Sequence, residues 1–181
     1  MDSYSKRFKI DCSPVAHEEN TVVFGNTRFT VITPCLLRVE VQSKCNFCDE
    51  PTQSVWFRDF DKPKFEAKQE EGIVTIKTTK ANFRYSLKAR KMLRIKLIDG
   101  RTVTDYSKGN LKGTCRTLDI TAGIITLGDG VCSREGVAVL DDSDTLAIKP
   151  DGTIKPRDYR ESDKYYFAYG NDYIRATTAL Y

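Results

Sequence analysis

Apolar and polar residues alternate along most of this chain from about Thr21 onward, and a period of two predicts β-strands. The dipeptides Asp99-Gly100 and Asp151-Gly152 each stand between two alternating segments and predict hairpin turns. Some dozen short strands separated by turn residues indicate an all-β antiparallel sandwich. The predicted strands cover residues 28–33, 36–41, 54–57, 73–78, 82–87, 93–98, 101–104, 133–140, 145–149, 153–155 and 164–169.

The predicted strand at residues 36–41 shows the alternation clearly. Its apolar residues Leu37, Val39 and Val41 share one face of the sheet, because side chains two positions apart point the same way. The residues between them, Arg38 and Glu40, belong to the opposite face. We therefore expect Arg38 and Glu40 to face water.

One helix is predicted, at the C-terminal end. Asn171 or Asp172 can cap it, and residues 173–181 contain no helix breaker. No glycine or proline ends the pattern, so we expect a helix that continues into further structure. The predicted organisation is an N-terminal extension over residues 1–20, a β-sandwich over 21–170 and the start of a helix over 171–181.

Length and composition limit the function classes. The chain has 181 residues, 40% of them hydrophobic and 30% charged, which is typical of one globular domain. A (β/α)₈ barrel needs about 250 residues, so no such catalytic barrel is expected within it. Its apolar runs are far shorter than the roughly 18 residues that span a bilayer, so no membrane partner is expected.

The net charge of +4 is modest, but the basic residues are unevenly distributed. Between Lys77 and Arg101 only one acid occurs, Asp99, among many lysines and arginines. A nucleic-acid surface has this character, and so do the outward faces of exposed strands. Since no nucleic-acid-binding motif accompanies the charge, we favour exposed strands and expect no nucleic-acid partner.

Cysteine is the other unusual component, with six residues in the chain. The N-terminus has no secretory pattern, which predicts a reducing, cytoplasmic location. Cys45 and Cys48 form a C-x-x-C pair, but His17 is the only histidine and no second pair completes a zinc site. We interpret the pair as loop residues and expect neither a metal nor a cofactor.

Residues 105–129 follow neither a strand nor a helix period, and they exceed the usual length of a connection. Long irregular segments on rigid sandwiches often carry function. Arg116 offers a planar set of donors and Asp119 accepts from paired hydroxyls, with Thr117 between them, a combination that suits a sugar. A local ion pair between Arg116 and Asp119 is the alternative interpretation.

Four segments resemble, in order, the N-terminal β-sandwich domain of glycoside hydrolase family 31 enzymes, a family of α-glucosidases and α-xylosidases. They are residues 49–60 (DEPTQSVWFRDF), 110–119 (NLKGTCRTLD), 128–142 (GDGVCSREGVAVLDD) and 166–173 (YFAYGNDY). The resemblance implies a galactose-mutarotase-like supersandwich with one C-terminal helix. Two departures stand out, since many members have tryptophan where Val137 stands and histidine where Asn171 stands.

The resemblance also implies a role. Residues 166–173 resemble the junction from the sandwich into the catalytic barrel of family members, which are retaining α-glycosidases with their catalytic acids on that barrel. This chain alone is therefore expected to be inactive. Its expected partners are that barrel and, through the parent enzyme, an α-linked oligosaccharide. Residues 114–122 match a loop over the barrel mouth, which makes Arg116, Thr117 and Asp119 the predicted substrate-binding residues.

Two other functions compete with this one. A stand-alone carbohydrate-binding module would need exposed aromatic residues, for which Trp56, Tyr106 and Tyr165 are candidates. A mutarotase-like enzyme would need a general acid and a general base, commonly histidine and glutamate. Because His17 is the only histidine and lies near the N-terminus, the enzyme is the weaker alternative.

Overall fold

The computed structural model describes residues 11–113, 123, 125–157 and 162–179. Two antiparallel five-stranded sheets and one small hairpin make up its β-structure, with the strand orders β1-β2-β3-β12-β9 in sheet one and β4-β5-β6-β7-β8 in sheet two. The strands are β1 Thr21–Phe24, β2 Thr27–Thr33, β3 Leu36–Val41, β4 Phe65–Glu70, β5 Ile73–Thr78, β6 Ala81–Ser86, β7 Lys91–Leu97, β8 Thr102–Val103, β9 Ala138–Asp141, β10 Ala147–Ile148, β11 Ile154–Lys155 and β12 Ser162–Phe167. A 3₁₀ turn at Glu18–Asn20 precedes β1, and helix α1, Tyr173–Thr178, follows β12.

The main core lies between the two sheets. Phe29 and Leu37 of sheet one pack in the same cluster as Ile76, Phe83 and Ile95 of sheet two, and all five are fully buried. Each side chain alternates with a polar neighbour along its strand, so the period of two brings the apolar residues of both sheets face to face. The predicted all-β antiparallel sandwich is confirmed, whereas its mutarotase-like subtype stays a prediction.

Sheet one is buried on both faces. Its second face packs against an apolar cluster that includes Ile32, Val55 and Ala176. Part of the cover is a layer of irregular chain and hairpin, residues 11–17, 42–60 and 145–157, which we call the covering layer. Isolated bridges from Ser13 to Phe57 and from Thr52 to Ala147 join its parts.

The covering layer overturns one expectation. Arg38 and Glu40 do not face water, because they are only 1% and 3% exposed. Both lie on the outward face of sheet one, as the alternation predicts, but the chain returns over that face and removes it from solvent. Alternation identifies the two faces of a strand and does not identify which of them water reaches.

Several strand predictions also need correction. The predicted strand at residues 133–140 begins only at Ala138, because Arg134 and Glu135 form a turn before it. Residues 54–57 form no strand, and instead belong to the covering layer with a single bridging residue, Phe57. Strand β4 was not predicted, because only Phe65 and Ala67 of its six residues face the core and the others are polar. β4 is an edge strand, and edge strands commonly carry charged residues that prevent further pairing.

Both predicted hairpins and the helix are confirmed. The Asp99-Gly100 turn joins β7 to β8 and the Asp151-Gly152 turn joins β10 to β11. Helix α1 begins after Asp172, whose carboxylate accepts a hydrogen bond from the backbone N–H of Arg175 at 3.2 Å. The side chain of Ala176 turns inward from α1, so this helix covers one end of sheet one.

Candidate functional site

The predicted substrate-binding residues Arg116, Thr117 and Asp119 lie outside the described residues. The structure does describe the chain segments on either side of these residues, and backbone hydrogen bonds join the two segments. The backbone N–H of Leu111 donates to Cys132 O at 2.9 Å, and that of Gly113 donates to Gly128 O at 3.3 Å. The two ends of the loop predicted to carry the site therefore lie side by side.

These two segments form the base of the loop, and the side chain of Asn110 holds them together. The Asn110 amide donates to Gly130 O at 2.9 Å and its oxygen accepts from Gly130 N–H at 2.8 Å, so one side chain satisfies both backbone groups. A Cβ on Gly130 would stand 2.6 Å from Leu111 O, which is too close for any other residue. Asn110 and Gly130 belong to two of the segments that carried the resemblance, and sequence reasoning had given neither a role.

The second candidate feature is an open groove of about 600 Å³, which we call the helix-side groove. Its walls come from the turn between β2 and β3, the turn between β7 and β8, and the chain around α1. Apolar atoms predominate in it, contributed mainly by Pro34, Phe60, Leu97, Ile98, Tyr169 and Ala179. Ile98 is 70% exposed at its edge, and Ile174 on the outer side of α1 is 78% exposed.

The residues of the last resembling segment form one wall of the helix-side groove. Tyr169, Gly170, Asn171 and Asp172 all line it. The Tyr169 hydroxyl and the Thr33 hydroxyl share a hydrogen bond of 2.8 Å, which fixes the ring against the end of β2. The segment predicted to precede a barrel thus borders an apolar surface.

A close backbone approach supports the same wall. Gly136 O accepts from Gly170 N–H at 2.9 Å, and a Cβ on Gly136 would meet Gly170 Cα at 2.9 Å and Leu97 Cδ1 at 2.8 Å. Gly136 also has a φ of +89°, which side chains rarely allow. Its neighbour Val137, where many family members have tryptophan, is completely buried in the main core.

Charges stand at the rim of the groove. Arg101 donates to Asp99 at 2.8 Å and to the Asn171 side chain at 3.2 Å, so it links the β7–β8 turn to the segment before α1. The hydrogen bond from Arg101 lowers the pKa of Asp99. Inside the groove burial raises the pKa of the Cys35 thiol, which favours the neutral thiol over a nucleophilic thiolate. The rim suits binding better than catalysis.

The strongest electrostatic feature lies elsewhere, beneath the covering layer. We call it the ion cluster, and it comprises Arg28, Arg38, Glu40, Asp142, Arg157 and Asp163. Arg38 holds Asp163 with two hydrogen bonds, of 2.9 Å and 2.7 Å, and also reaches Glu40 at 3.0 Å. Arg157 lies 2.7 Å from the same Asp163 carboxylate. Within the cluster, three guanidinium groups face three carboxylates.

The pKa of Asp163 reflects its pairing with these guanidinium groups. Burial alone would raise it, but the charge and the hydrogen bonds of Arg38, assisted by Arg157, lower it to about 2. The carboxylate is therefore ionised at neutral pH and remains so deep into acid. Every polar partner of Asp163 belongs to the fold itself, which marks the cluster as structural rather than catalytic.

Trp56, Tyr106 and Tyr165 do not form a common sugar-stacking surface. Tyr165 is almost completely buried, and its hydroxyl accepts from Arg58 Nε at 2.7 Å. Tyr106 is half-buried and packs edge-on against Tyr166 in the main core. Only Trp56 of the three is substantially exposed, at 39%. The structure does not favour the aromatic surface that a carbohydrate-binding module would use.

Among the basic residues between Lys77 and Arg101, several take the predicted place on the outer face of sheet two, whereas Lys80, Lys88, Arg90 and Arg101 lie in the connections between its strands. We call Lys68, Lys77, Arg84, Arg94 and Lys96 the basic face. Arg84 and Arg94 stand directly opposite each other on β6 and β7. All but Arg84 are well exposed, which confirms the strand-face interpretation and leaves the absence of a nucleic-acid partner a prediction.

In the part of the chain that the structure describes, three or more histidine, cysteine, aspartate or glutamate side chains nowhere gather in a way that could hold a metal ion. Within the same residues, no helix has the length and apolar character needed to cross a membrane.

Among solved structures, the chain is similar in part to a glycoside hydrolase family 31 α-xylosidase from Xanthomonas citri, with 18% identity, 48% of this chain and 11% of that chain covered, and a TM-score of 0.30. It is also similar to a family 31 dextranase from Flavobacterium johnsoniae complexed with glucose, with 17% identity, 85% and 25% coverage, and a TM-score of 0.44. A mutant of that dextranase complexed with isomaltotriose gives 16% identity, 85% and 25% coverage, and a TM-score of 0.43.

All three structures are family 31 enzymes, the family that the sequence segments resemble. The chain spans only 11–25% of their lengths. No protein-family model and no curated protein sequence matches it. At identities and TM-scores this low the structural likeness supports no functional conclusion by itself, so function is inferred from the chain's own residues.

Proposed function

We propose that this chain is the non-catalytic β-sandwich domain of a family 31 retaining α-glycosidase, which packs on the catalytic barrel and contributes a loop to the substrate site. The observation that carries the proposal is the position of residues 169–172. These residues belong to the segment that resembles the family's junction into its barrel, and they line an open apolar groove. An exposed apolar surface of this kind marks an interaction site.

The base of the loop supports the second half of the proposal. Asn110 and Gly130 hold the two ends of the segment that contains Arg116, Thr117 and Asp119. A fixed base limits where those three residues can reach, which a loop that contributes to a substrate site requires. We propose Arg116 and Asp119 as contacts to sugar hydroxyls or to the barrel, with Thr117 beside them.

Two measurements test the domain assignment. The gene, sequenced beyond the codon for Tyr181, is expected to continue in frame into a barrel of roughly 250 residues. The purified 181-residue chain is expected to release no nitrophenol from nitrophenyl α-glucoside or α-xyloside, because no barrel acids are present. A stop codon directly after Tyr181, or turnover by the pure chain, would contradict the proposal.

The docking surface is tested by measuring how tightly the sandwich binds the barrel of the parent enzyme when the two are expressed separately. Ile98→Asp places a charge at the edge of the helix-side groove and is expected to weaken binding between separately expressed sandwich and barrel at least about tenfold. Ile154→Asp on the β10–β11 hairpin is the matched control, because Ile154 is also exposed and lies outside the groove. Equal binding by both variants and the unaltered sandwich would remove the groove as the docking site.

A further inference from the structure

A second open cleft, which we call the sheet-edge cleft, has no part in the proposed function. It has a volume of about 760 Å³ and lies between the start of β7 in sheet two and strands β9 and β12 in sheet one. Met92, Val139 and Tyr166 line it, and they also belong to the main core or pack against it. Sites for small molecules commonly have volumes of roughly 300–1,000 Å³, so the sheet-edge cleft is large enough for a ligand.

Two charged side chains in the sheet-edge cleft lie on the face of sheet one that turns toward sheet two. Lys164 on β12 is paired directly with Val39 of β3 on one side and with Asp141 of β9 on the other. Directly paired residues share one face of a sheet, and Val39 on that face is buried in the main core. Lys164 and Asp141, which we call the inner pair, therefore project toward the space between the sheets.

The inner pair is charged and accessible from the cleft. Lys164 Nζ lies 3.1 Å from Asp141 Oδ2, and the two side chains are 39% and 54% exposed. Partial burial would raise the pKa of Asp141, but hydrogen bonds from Ser143 and Lys164 lower it, so the carboxylate is ionised at neutral pH. The neighbouring inward positions on the same strands hold Val139 and Tyr166, which pack in or against the main core. A local departure from the pattern that a fold requires is typical of functional sites.

The other charged groups of the cleft nearly balance one another. Asp105 and Asp129 add carboxylates to the inner pair, and Lys91 adds an ammonium. Asp129 is paired with Lys112 at the base of the loop, so the local charges come close to cancelling. A cleft without a surplus of either sign has no strong attraction for an ion. Its polar groups can still bind a neutral ligand, since a carboxylate and an ammonium each form several hydrogen bonds.

A sugar residue fits this combination of groups. Each of its hydroxyls both donates and accepts, so neighbouring hydroxyls can bond the carboxylate and the ammonium of the inner pair together. Its ring carbons can pack on the apolar side chains of the cleft, where Leu93 and Tyr106 lie beside Val139. The Tyr106 hydroxyl is buried and has no hydrogen-bond partner in the part of the chain that the structure describes, so the fold leaves a further polar group unused.

We propose that the sheet-edge cleft binds a neutral sugar residue, whose hydroxyls contact the inner pair and whose ring packs on the apolar wall. Such a site differs from the flat aromatic surface that a carbohydrate-binding module would use, because it lies between two sheets and polar groups define it. The residues that form it belong to the sandwich, so the isolated 181-residue chain is sufficient to test it. A failure to bind sugar would leave the assignment of the chain as a non-catalytic domain unaffected.

Methionine signals report on the cleft, because the chain has only two methionines, Met1 and Met92, and Met92 lines it. In a chain isotope-labelled at the methionine methyl groups, D-glucose or D-xylose at millimolar concentration is expected to shift the Met92 NMR signal saturably and to leave that of Met1 unchanged. Cyclohexanol, a ring of similar size with a single hydroxyl, is the control compound and should bind at least about tenfold more weakly. The absence of a saturable shift with either sugar and with isomaltotriose would overturn the proposal, and so would equal binding of cyclohexanol.

A change at the inner pair tests which groups hold the sugar. Asp141→Asn keeps the shape of the side chain and removes its charge, so it is expected to weaken sugar binding about tenfold. Asp144→Asn is the matched control, because Asp144 is exposed three residues further along the chain and lies outside the cleft. Urea denaturation establishes that both variants are folded. Sugar affinities that are the same in both variants and in the unaltered chain would overturn the proposal.

A purely structural role for Asp141 predicts a different result. β9 is an edge strand of sheet one, and an inward-facing charge on an edge strand can prevent pairing with a second chain. If this were its only role, Asp141→Asn would self-associate in sedimentation velocity while its sugar affinity stayed the same. That outcome would overturn the proposal.

A pair of threonine variants tests where the sugar binds. Thr104 lines the sheet-edge cleft, whereas Thr102, two residues earlier and also exposed, lies outside it. Thr104→Arg places a long side chain at the cleft and should abolish the sugar-dependent shift of Met92, and Thr102→Arg should leave that shift unchanged. Equal shifts in the two variants would contradict the proposed location.

Discussion

The outer faces of the two sheets present the same sequence pattern in opposite environments. On sheet one, Arg38 and Glu40 alternate with apolar residues and are buried beneath the covering layer. On sheet two, Arg94 and Lys96 alternate with apolar residues in the same way and are exposed. Charge on the second face of a strand therefore does not by itself indicate that solvent reaches that face.

The two faces differ in how closely their charges are paired. The ion cluster on sheet one joins three arginines and three acids by direct ion pairs. On the outer face of sheet two, Arg84 stands opposite Arg94, and Lys77 stands opposite the exposed Glu66. Buried charges are tolerated only when they are paired and hydrogen-bonded, while exposed ones need no partner.

The largest expected effect on stability concerns the buried charges of sheet one. Arg38→Ala removes the most deeply buried partner of Asp163 and Glu40 and leaves these carboxylates with only Arg157 and Arg28, which should lower the free energy of unfolding by about 3–5 kcal/mol. Arg94→Ala, the matched change on the basic face, should alter it by less than about 0.5 kcal/mol. Urea denaturation of both variants measures the difference, and equal losses would contradict the structural distinction between the faces.

A smaller effect concerns acid. The pKa of Asp163 in the folded chain is about 2, below the unfolded value of roughly 3.9, so its contribution to stability is fully present above the unfolded value. The contribution is lost as the pH falls from about 4 toward 2. Urea midpoints followed from neutral pH into acid should therefore drop steeply in this window.

The matched variants for the acid experiment are Asp163→Asn and Asp61→Asn. Asp163→Asn should start with a lower midpoint and lose less of it across the same pH window, because the titrating group is absent. Asp61 is exposed in the connection before β4, and its replacement should reproduce the unaltered profile. Parallel profiles for all three proteins would show that Asp163 is not the group responsible.

The smallest expected effect belongs to the basic face. Arg84 faces Arg94 across neighbouring strands, and like charges in that position repel. Arg84→Gln should raise the free energy of unfolding by about 0.2–0.5 kcal/mol at low salt, and the gain should fade as salt screens the repulsion. Lys88→Gln, in the turn between β6 and β7, is the control. A gain that salt does not reduce would require another cause.

The parts of the fold that local chemistry determines could be predicted from the sequence. The Asp99-Gly100 and Asp151-Gly152 turns, the alternation in β5 and β6, and the cap at Asp172 each depend on a few adjacent residues. The irregular part of the covering layer, residues 11–17 and 42–60, does not, because its residues have no period of their own. Its position rests on long-range contacts such as the bond between Arg58 and Tyr165, 107 positions apart.

The candidate site likewise has one part that the sequence predicts and one part that it does not. Arg116, Thr117 and Asp119 were chosen for their chemistry, and their role stays a prediction because they lie outside the described residues. The sequence analysis did not identify the base of the loop, although Asn110 and Gly130 flank these three residues in the sequence. An asparagine and a glycine at matching ends of a long loop are a usable signal, since an amide can bond both polar groups of one residue.

Arg58 has a consequence for the order in which the molecule assembles. Its guanidinium donates to Tyr165 in sheet one and to the carbonyls of Pro14 and Glu50 in the covering layer, at 2.7 Å, 3.0 Å and 2.9 Å. The bond to Tyr165 joins residues 107 positions apart and so closes a long loop of chain, and the layer is expected to consolidate late for this reason. It should also open first, exposing its amides to hydrogen exchange while the sandwich beneath remains closed.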